Sequence, residues 1–299
     1  MIARLQKLIV FVALLVAGAW GAYWAGQGRP WVAALGVLAV ASVHALVLGL
    51  EFLLLRRVHR DDPTPRASAF ALAKAWWGEV LTAPVVFCWR QPFRSRVHPD
   101  HLPAHAKGRR GLLLVHGFVC NRGIWNPWLA RLQARDVPFV AVNLEPMLGS
   151  IDAYAAQIEA GVQALTRCTG RPPLVVAHSM GGLAVRAWWR QTQADGRVEH
   201  VVTIGSPHHG TWLGRFAQST NTRQMRLNSR WLQQLADDEP MERYRRFTCF
   251  YSHCDNIVFP PSTATLPGAD NRHLPGWSHV HLAYHPTVFD EVLRRLQAG

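Results

Sequence analysis

The chain has 299 residues, a formal charge of +13 and 49% apolar side chains. This length allows one large α/β domain of roughly 200 residues with additional segments. The basic residues are not interleaved with the stacking aromatics of a known nucleic-acid-binding module, so a nucleic-acid partner is not expected.

Two uncharged apolar runs stand at the beginning of the chain. They cover Leu8–Gly26 and Trp31–Leu50, and each has about 20 residues, enough for a helix to cross a hydrocarbon core of about 30 Å. Only the short segment 27–30 separates them. The pattern predicts a transmembrane helical hairpin over residues 1–55, with tryptophans and a tyrosine clustered at its tip, where an aromatic belt is expected.

Each run also has an alternative interpretation. The first could be a signal peptide, because Arg4 and Lys7 precede it. The second could be a buried core helix, although its length and the abrupt change to Arg56-Arg57 argue against this. His44 is interpreted as a helix-contact residue, and Glu51, one turn before the end of the run, is expected to reach Arg56 or water.

Cation counts predict how the hairpin lies in the membrane. Arg4 and Lys7 precede it and Arg29 alone lies at its tip, whereas four arginines (Arg56, Arg57, Arg60 and Arg66) follow it. The positive-inside rule places both ends and the rest of the chain in the cytoplasm. The odd number of cysteines, five, agrees with a reducing compartment, although Cys249 and Cys254 could pair in an oxidising one.

A basic segment connects the hairpin to the remainder of the chain. Residues 56–110 hold eleven Lys and Arg against four Asp and Glu, which favours contact with anionic lipid headgroups. We therefore assign residues 56–109 to a juxtamembrane linker. Its apolar part, Ser68–Trp89, predicts an interfacial or core-packing helix, because Pro84 and two charges make a third membrane span the weaker alternative.

From Arg110 onward, strand-like and helix-like stretches alternate, as in a mostly parallel sheet covered by helices. The predicted strands are Leu112–Val115, Val137–Leu144, Leu174–Ala177, His200–Ile204 and Phe247–Tyr251, with a weak sixth strand near His273. The predicted helices are Asn126–Ala134, Ile151–Thr166, Gly182–Gln193 and Pro286–Leu296. Residues 208–246 do not fit the alternation, and they predict either a cap over a site or a helical excursion packed on the sheet edge.

The segment Ala177-His-Ser-Met-Gly181 has the form of a nucleophile elbow. It follows an apolar strand and precedes a helix-like stretch, so Ser179 is expected at the apex of a tight turn. The residues two positions before and after it must be small, and Ala177 and Gly181 are. Ser179 is the predicted nucleophile.

A serine nucleophile needs a base to accept its proton and an acid to orient that base. Asp255 follows the predicted strand that ends at Tyr251, and we predict that it is the acid, with a simple turn as the alternative role and Asp270 as the alternative acid. His279 is the predicted base, with His281 and His285 as alternatives. This gives the chain order nucleophile, acid, base.

An acyl-transfer site also needs donors for the oxyanion that develops during attack. One predicted donor is the backbone N–H of Met180, at the start of the helix after the elbow. The other is the N–H of Phe118, in the loop Val115-His-Gly-Phe118 after the first strand, where Gly117 permits close approach of the backbone.

Residues 110–299 resemble an α/β-hydrolase of the bacterial lipase/esterase kind. The resemblance rests on Leu-Leu-Val-His-Gly-Phe (113–118), Ala-His-Ser-Met-Gly-Gly (177–182), Thr-Ile-Gly-Ser-Pro-His-His-Gly-Thr (203–211), Asp255 with Val258 after it, and the Gly-x-x-His that ends at His279. It implies an α/β-hydrolase fold for a catalytic domain over 110–299. His208 and His209 are interpreted as structural, and neither a metal nor another cofactor is expected, because no acidic or cysteine spacing completes a ligand set.

These features predict a membrane-anchored serine hydrolase that cleaves lipid or other apolar carboxylic esters, in a bacterial inner membrane with its catalytic domain on the cytoplasmic side. Two alternatives remain at this point. An acyltransferase or a deacylase of a lipid-linked molecule would use the same triad, and a membrane scaffold would keep the fold without the chemistry. The sequence does not specify the oligomeric state.

Overall fold

A six-stranded sheet forms the centre of the molecule in the computed structural model, which describes residues 1–298. All neighbouring strands run parallel, in the spatial order β2-β1-β3-β4-β5-β6. The strands are β1 Leu112–Val115, β2 Phe139–Ala141, β3 Leu174–His178, β4 His200–Ile204, β5 Phe247–Tyr251 and β6 Asp270–His273. The predicted α/β class with a mostly parallel sheet is confirmed.

Helices precede the sheet and cover both of its faces. In chain order they are α1 Ile2–Gly26, α2 Pro30–Val58, α3 Ala69–Pro84, α4 Gln91–Phe93, α5 Asn126–Gln133, α6 Ala155–Thr169, α7 Met180–Thr192, α8 Thr220–Gln224, α9 Arg230–Asp237, α10 Met241–Tyr244, α11 His279–Leu282 and α12 Pro286–Gln297. A π-helical segment, Val85–Arg90, joins α3 to α4. Short 3₁₀ turns occur between several of the later elements.

The strands β1 to β5 are buried on both faces, as expected for a parallel sheet between two helical layers, whereas the edge strand β6 is exposed or half-buried. Successive residues of β1 alternate between the two sides of the sheet. Leu113 and Val115 pack in one apolar cluster, with α6 and α7, whereas Leu112 and Leu114 pack in the other, with α5 and α12. The carboxyl ends of the strands therefore stand at one edge of a rigid two-sided core.

The first two helices, α1 and α2, form an antiparallel pair joined by residues 27–29. Both are long and apolar enough to cross a membrane, and few of their residues are buried, namely Ile2, Gln6, Ala33, Phe52 and Leu55. Gly36 makes their close approach possible, because a Cβ at this position would overlap the Trp20 indole ring. The indole N–H of Trp20 donates a hydrogen bond to the Val32 carbonyl. This arrangement is compatible with the predicted transmembrane hairpin.

The predicted apolar helix within the basic segment is present and longer than expected. Ser68 caps α3 by accepting a hydrogen bond from the Ala71 N–H. Pro84 does not end the helix, which continues into the π-helical segment. The Val80 carbonyl, which lacks its usual helical partner because Pro84 has no N–H, contacts His44 Nε2. The exposed side of this continuous helix is apolar, and it includes Phe70, Trp77 and Trp89.

Residues 208–246 form a set of short helices, α8, α9 and α10, between β4 and β5. Leu232, Leu235 and Tyr244 pack into the apolar cluster that contains α7. Beneath them, Arg186 of α7 forms a buried ion pair with Glu239. The first part of the segment, residues 211–225, lines a cavity that also contacts Phe118 and Ile257. The segment thus packs on α7, and its role as a cap over a site stays a prediction.

Candidate active site

The predicted elbow is a sharp turn between β3 and α7. Ser179 stands at its apex with a φ of 56°, a backbone conformation that non-glycine residues rarely adopt. Gly181 faces the backbone of β1 closely, since a Cβ there would lie 2.7 Å from the carbonyl oxygens of Val115 and His116. Ala177 is fully buried. The small residues on either side therefore let the turn pack against the sheet, as the sequence predicted.

Ser179, His279 and Asp255 form a continuous chain of hydrogen bonds. The Ser179 Oγ lies 2.9 Å from His279 Nε2, and His279 Nδ1 lies 2.9 Å from Asp255 Oδ2. Because the Asp255 carboxylate can only accept, the Nδ1 of His279 carries a proton and its Nε2 is free to accept the Ser179 hydroxyl proton. All three side chains are buried. The arrangement can activate a serine hydroxyl as a nucleophile.

Asp255 is held as an acceptor by its own loop. Its second oxygen, Oδ1, accepts hydrogen bonds from the backbone N–H groups of Ile257, at 2.9 Å, and Val258, at 2.8 Å. The predicted turn geometry is thus present at Asp255 together with the contact to His279. Both oxygens of the carboxylate are satisfied, which fixes the plane in which His279 is oriented.

The alternative acid and base residues lie elsewhere. Asp270 bonds Arg272 on the edge strand β6. His281 and His285 pack against the ring of Trp277 in tilted geometry, with ring centroids 4.1 Å and 4.4 Å away. The structure therefore brings together Ser179, Asp255 and His279, and it does not bring these three alternatives into the hydrogen-bonded chain.

Charge around His279 favours its protonated form. Burial alone would lower the pKa of His279, but Asp255, Glu79 and Glu51 outweigh this and raise the pKa above the usual value. His178 lies against the same ring, with the centroids 4.7 Å apart. Burial lowers the pKa of His178 to about 3, so this ring is neutral and its Nε2–H donates to the His279 carbonyl.

The loop that follows β1 lies directly against Ser179. A Cβ on Gly117 would be 2.7 Å from the Ser179 Cβ, so only glycine permits this approach. His116 orients the loop: its Nε2 accepts from the Leu144 N–H, which leaves Nδ1–H to donate to the Gly117 carbonyl. Phe118 follows Gly117, and Met180 opens α7. The two predicted oxyanion donors thus belong to segments that meet at Ser179.

A cavity of about 420 Å³ opens at Ser179 and His279, and part of its wall comes from the N-terminal helices. Its lining residues from that region are His44, Val47, Leu48 and Glu51 of α2, Glu79 and Ala83 of α3, and Phe87 of the π-helical segment. Apart from the two glutamates and His44, these side chains are apolar. The candidate site is therefore shared between the sheet and the helices that precede it.

Glu51, Glu79 and Asn256 are the site residues that sequence reasoning missed. The prediction that Glu51 reaches Arg56 or water is wrong: its Oε2 accepts a hydrogen bond from Asn256 Nδ2 at 2.6 Å. His44 contacts the Val80 carbonyl of α3, in agreement with its interpretation as a helix-contact residue. One sequence feature could have identified Glu51 and Glu79 as candidate functional residues, since each is the single carboxylate within a long apolar stretch.

His208 and His209 lie beside the buried ion pair of the 208–246 segment. His208 is buried, and its Nε2 contacts the Thr203 hydroxyl at 3.1 Å, while its carbonyl accepts from Arg186. Burial, reinforced by the charge of Arg186, lowers the pKa of both rings. Within residues 1–298, no group of three or more His, Cys, Asp or Glu side chains is arranged so that it could hold a metal ion.

The sheet topology and the elbow agree with the outcome of comparison with known proteins. Residues 112–297 match the model of the Alpha/beta hydrolase family, and the chain belongs to that family. The matched region covers the whole sheet and every residue of the Ser179 hydrogen-bonded chain. Comparison with curated proteins found no match.

Solved structures with the same fold include two lipases. The mature form of lipase BlEst2 from Bacillus licheniformis is 17% identical, with a TM-score of 0.57 over 66% of this chain and 96% of that one. Lipase B from Aspergillus fumigatus is 19% identical, with a TM-score of 0.56 over 68% of this chain and 57% of that one. At these identities the similarity is one of fold.

Proposed function

We propose that this hydrolase is a membrane-anchored serine hydrolase that cleaves carboxylic esters with apolar acyl chains. Ser179 is its nucleophile, His279 its base and Asp255 the acid that orients the base. The observation that carries the proposal is the hydrogen-bonded chain from the Ser179 hydroxyl through the His279 ring to the Asp255 carboxylate. No step of this chemistry requires a cofactor.

In the proposed reaction, Ser179 Oγ attacks the ester carbonyl carbon while His279 Nε2 accepts the hydroxyl proton. The N–H groups of Phe118 and Met180 stabilise the resulting oxyanion. The protonated His279 then gives its proton to the leaving alkoxide, and an acyl-Ser179 ester remains. Water then attacks the acyl carbon while His279 Nε2 accepts its proton. As the bond between the acyl carbon and Ser179 Oγ breaks and the carboxylic acid leaves, His279 gives that proton to Oγ and regenerates the Ser179 hydroxyl.

The cavity supports an apolar substrate. Its walls next to Ser179 consist mostly of aliphatic and aromatic side chains, including Val47, Leu48, Phe87 and Phe118. Burial of apolar surface in such a cavity contributes about 25 cal/mol per Å². An acyl chain is therefore favoured over a polar acyl group at this position, and a lipid ester is the substrate class that we assign.

The membrane part of the proposal rests on the length, apolarity and exposure of α1 and α2. We assign residues 1–55 to a transmembrane hairpin, 56–109 to the basic juxtamembrane segment that meets anionic headgroups, and 110–299 to the catalytic domain, with 208–246 as its insertion. The cation distribution favours an inner-membrane location with the catalytic domain in the cytoplasm.

Covalent labelling tests the proposal directly. A fluorophosphonate probe is expected to label the detergent-solubilised full-length protein at Ser179, because the probe reacts with serines that a neighbouring base activates. Labelling is read by in-gel fluorescence and by mass spectrometry of the modified peptide. Absence of labelling in folded wild-type protein, or labelling at another serine, would contradict the assignment and would favour a scaffold without chemistry.

The raised pKa of His279 predicts a pH dependence. His279 must be neutral to accept the Ser179 proton, so the activity is expected to increase with pH as this ring loses its proton. Because Asp255, Glu79 and Glu51 raise the pKa, the midpoint of the acid limb is expected above the usual histidine value of about 6.5. The measurement is kcat/KM for a p-nitrophenyl ester against pH; a midpoint well below that value would contradict the electrostatic description.

A further inference from the structure

Glu79 holds the helical turn that carries the catalytic base. This carboxylate is 2% exposed; its Oε1 accepts from the Val280 N–H at 3.0 Å, and its Oε2 accepts from the His281 N–H at 3.1 Å. Gly78, next to it, lies so close to the His281 ring that a Cβ would be 2.6 Å from that ring. The helix α3 therefore fixes α11, whose first residue is His279.

Glu51 holds the loop that carries the acid. Its Oε2 accepts from Asn256 Nδ2, and Asn256 Oδ1 in turn accepts from the His279 N–H at 3.1 Å. Asn256 is fully buried and follows Asp255 directly. A single amide side chain thus connects α2 to both the acid loop and the base.

Gln91 of α4 holds the loop that carries a predicted oxyanion donor. It is fully buried, and its Oε1 accepts from the Asn121 N–H at 3.1 Å and from Gln6 Nε2 of α1 at 3.0 Å. Its carbonyl accepts from Asn121 Nδ2. The segment that follows Phe118 is therefore attached to α1 and α4.

Apolar packing reinforces these three polar connections. Phe52 and Leu55 of α2 form one buried cluster with Cys254 and Phe259, which flank the loop of Asp255. The helical turn of His279, the loop of Asp255 and the segment that follows Phe118 therefore each have a buried contact within residues 1–93.

We propose that residues 1–93 complete the active site of this hydrolase, with Glu79 and Glu51 as positioning residues for His279 and Asp255. The helices would then serve catalysis as well as anchoring. The inference rests on the proposed roles of Ser179, His279 and Asp255.

The charges that face His279 come from three elements besides its own. Asp255 lies after β5, Glu79 on α3 and Glu51 on α2, and the neutral His178 lies at the end of β3. Burial raises the pKa of Glu79, whereas its hydrogen bonds and the charge of protonated His279 oppose that rise. The Glu79 charge is therefore coupled to the protonated state that His279 adopts during acyl transfer.

Glu79→Gln tests the first connection. Glutamine offers one acceptor oxygen in place of two, so one of the two backbone hydrogen bonds is lost together with the charge. We expect kcat to decrease about tenfold or more and KM to change less than about threefold, because misplacement of a reacting group affects the chemical step. The acid limb of kcat is expected to move to lower pH. A purely structural role would leave that limb in place.

Glu51 allows a test that separates the hydrogen bond from the charge. Glu51→Gln keeps an oxygen that accepts from Asn256, whereas Glu51→Leu removes it while keeping a similar volume within α2. We expect Glu51→Leu to lose kcat about tenfold or more and Glu51→Gln to retain most of it. This pair decides the proposal if Glu79→Gln does not accumulate as folded protein.

The matched control is Glu291→Gln, a buried carboxylate of α12 that bonds Arg272, Arg294 and Arg295 away from the cavity. It is expected to lower thermal stability without moving the acid limb of the pH profile of kcat.

The proposal is overturned if Glu51→Leu retains kcat within about twofold, or if folded Glu79→Gln retains both the wild-type kcat and the wild-type acid limb of its pH profile. If Ser179→Ala is as active as wild type, the proposed function is rejected. If Ser179→Ala loses activity as expected while the Glu51 and Glu79 variants are unaffected, only this inference is rejected.

Discussion

Ser179→Ala is expected to reduce kcat/KM for a p-nitrophenyl ester by about 10⁴-fold or more while leaving the protein folded. The alanine removes the oxygen that forms the acyl-enzyme, and no other hydroxyl lies in the His279–Asp255 hydrogen-bonded chain of the described residues 1–298. The small residual rate would come from substrate binding and oxyanion stabilisation. Initial rates on detergent-solubilised, purified full-length protein provide the measurement.

A matched control for this variant is Ser42→Ala. The Ser42 hydroxyl donates to the Leu38 carbonyl of its own helix, so its removal tests the serine-to-alanine change without affecting the site. Circular dichroism and thermal unfolding should be close to wild type for both variants. Full activity in folded Ser179→Ala protein would refute the nucleophile assignment and with it the acyl-enzyme mechanism.

Asp255→Asn is expected to lower kcat by about 10⁴-fold with a much smaller change in KM. The amide group of asparagine can donate to His279 Nδ1, which would place the histidine proton on Nε2 and remove the lone pair that Ser179 needs. Loss of the carboxylate also removes the largest attractive charge that raises the pKa of His279. Both effects act on the chemical step, and kcat and KM measured over a range of pH values separate them.

Asp270→Asn is the matched control, because Asp270 was the alternative acid in the sequence. It lies exposed on the edge strand β6, and its carboxylate bonds Arg272. We expect this variant to keep nearly full activity. A large loss in Asp270→Asn together with near-normal activity in Asp255→Asn would reverse the assignment of the acid.

The sheet could be predicted closely from the sequence because five of its six strands are short and mainly apolar. The sixth strand, β6, is polar throughout and was only a weak prediction. The predicted strands His200–Ile204 and Phe247–Tyr251 coincide with β4 and β5. The run Val137–Leu144 predicted too long a strand, since β2 lies at the sheet edge, where it pairs with β1 through three residues and on its other side makes only an isolated bridge to His101. Apolar character reveals that a segment is buried, but the length of a strand depends on its partner.

The contacts among Ser179, Asp255 and His279 were predictable for a different reason. In a parallel sheet the carboxyl ends of all strands stand at one edge, so residues that follow β3, β5 and β6 must meet there. The order of residue types along the chain then leaves few combinations. The roles assigned to these residues stay predictions until the variants are measured.

The contacts of Glu51 and Glu79 could not be predicted in this way. Glu79 meets Val280 across 201 residues, and Glu51 meets Asn256 across 205 residues. Neither contact follows from sheet topology, because α2 and α3 precede the first strand. Their positions depend on how an apolar helix packs over a finished sheet, and no local pattern in the sequence encodes that packing.

The buried cluster of Phe52 and Leu55 with Cys254 and Phe259 bears on how the chain is made. Its first two members leave the ribosome some 200 residues before the last two. With the proposed transmembrane hairpin, α1 and α2 would already lie in the bilayer when the acid loop is synthesised, and that loop would contact them only at the membrane surface. Folding of the proposed active site would then depend on membrane insertion, and chains that fail to insert would lack hydrolase activity.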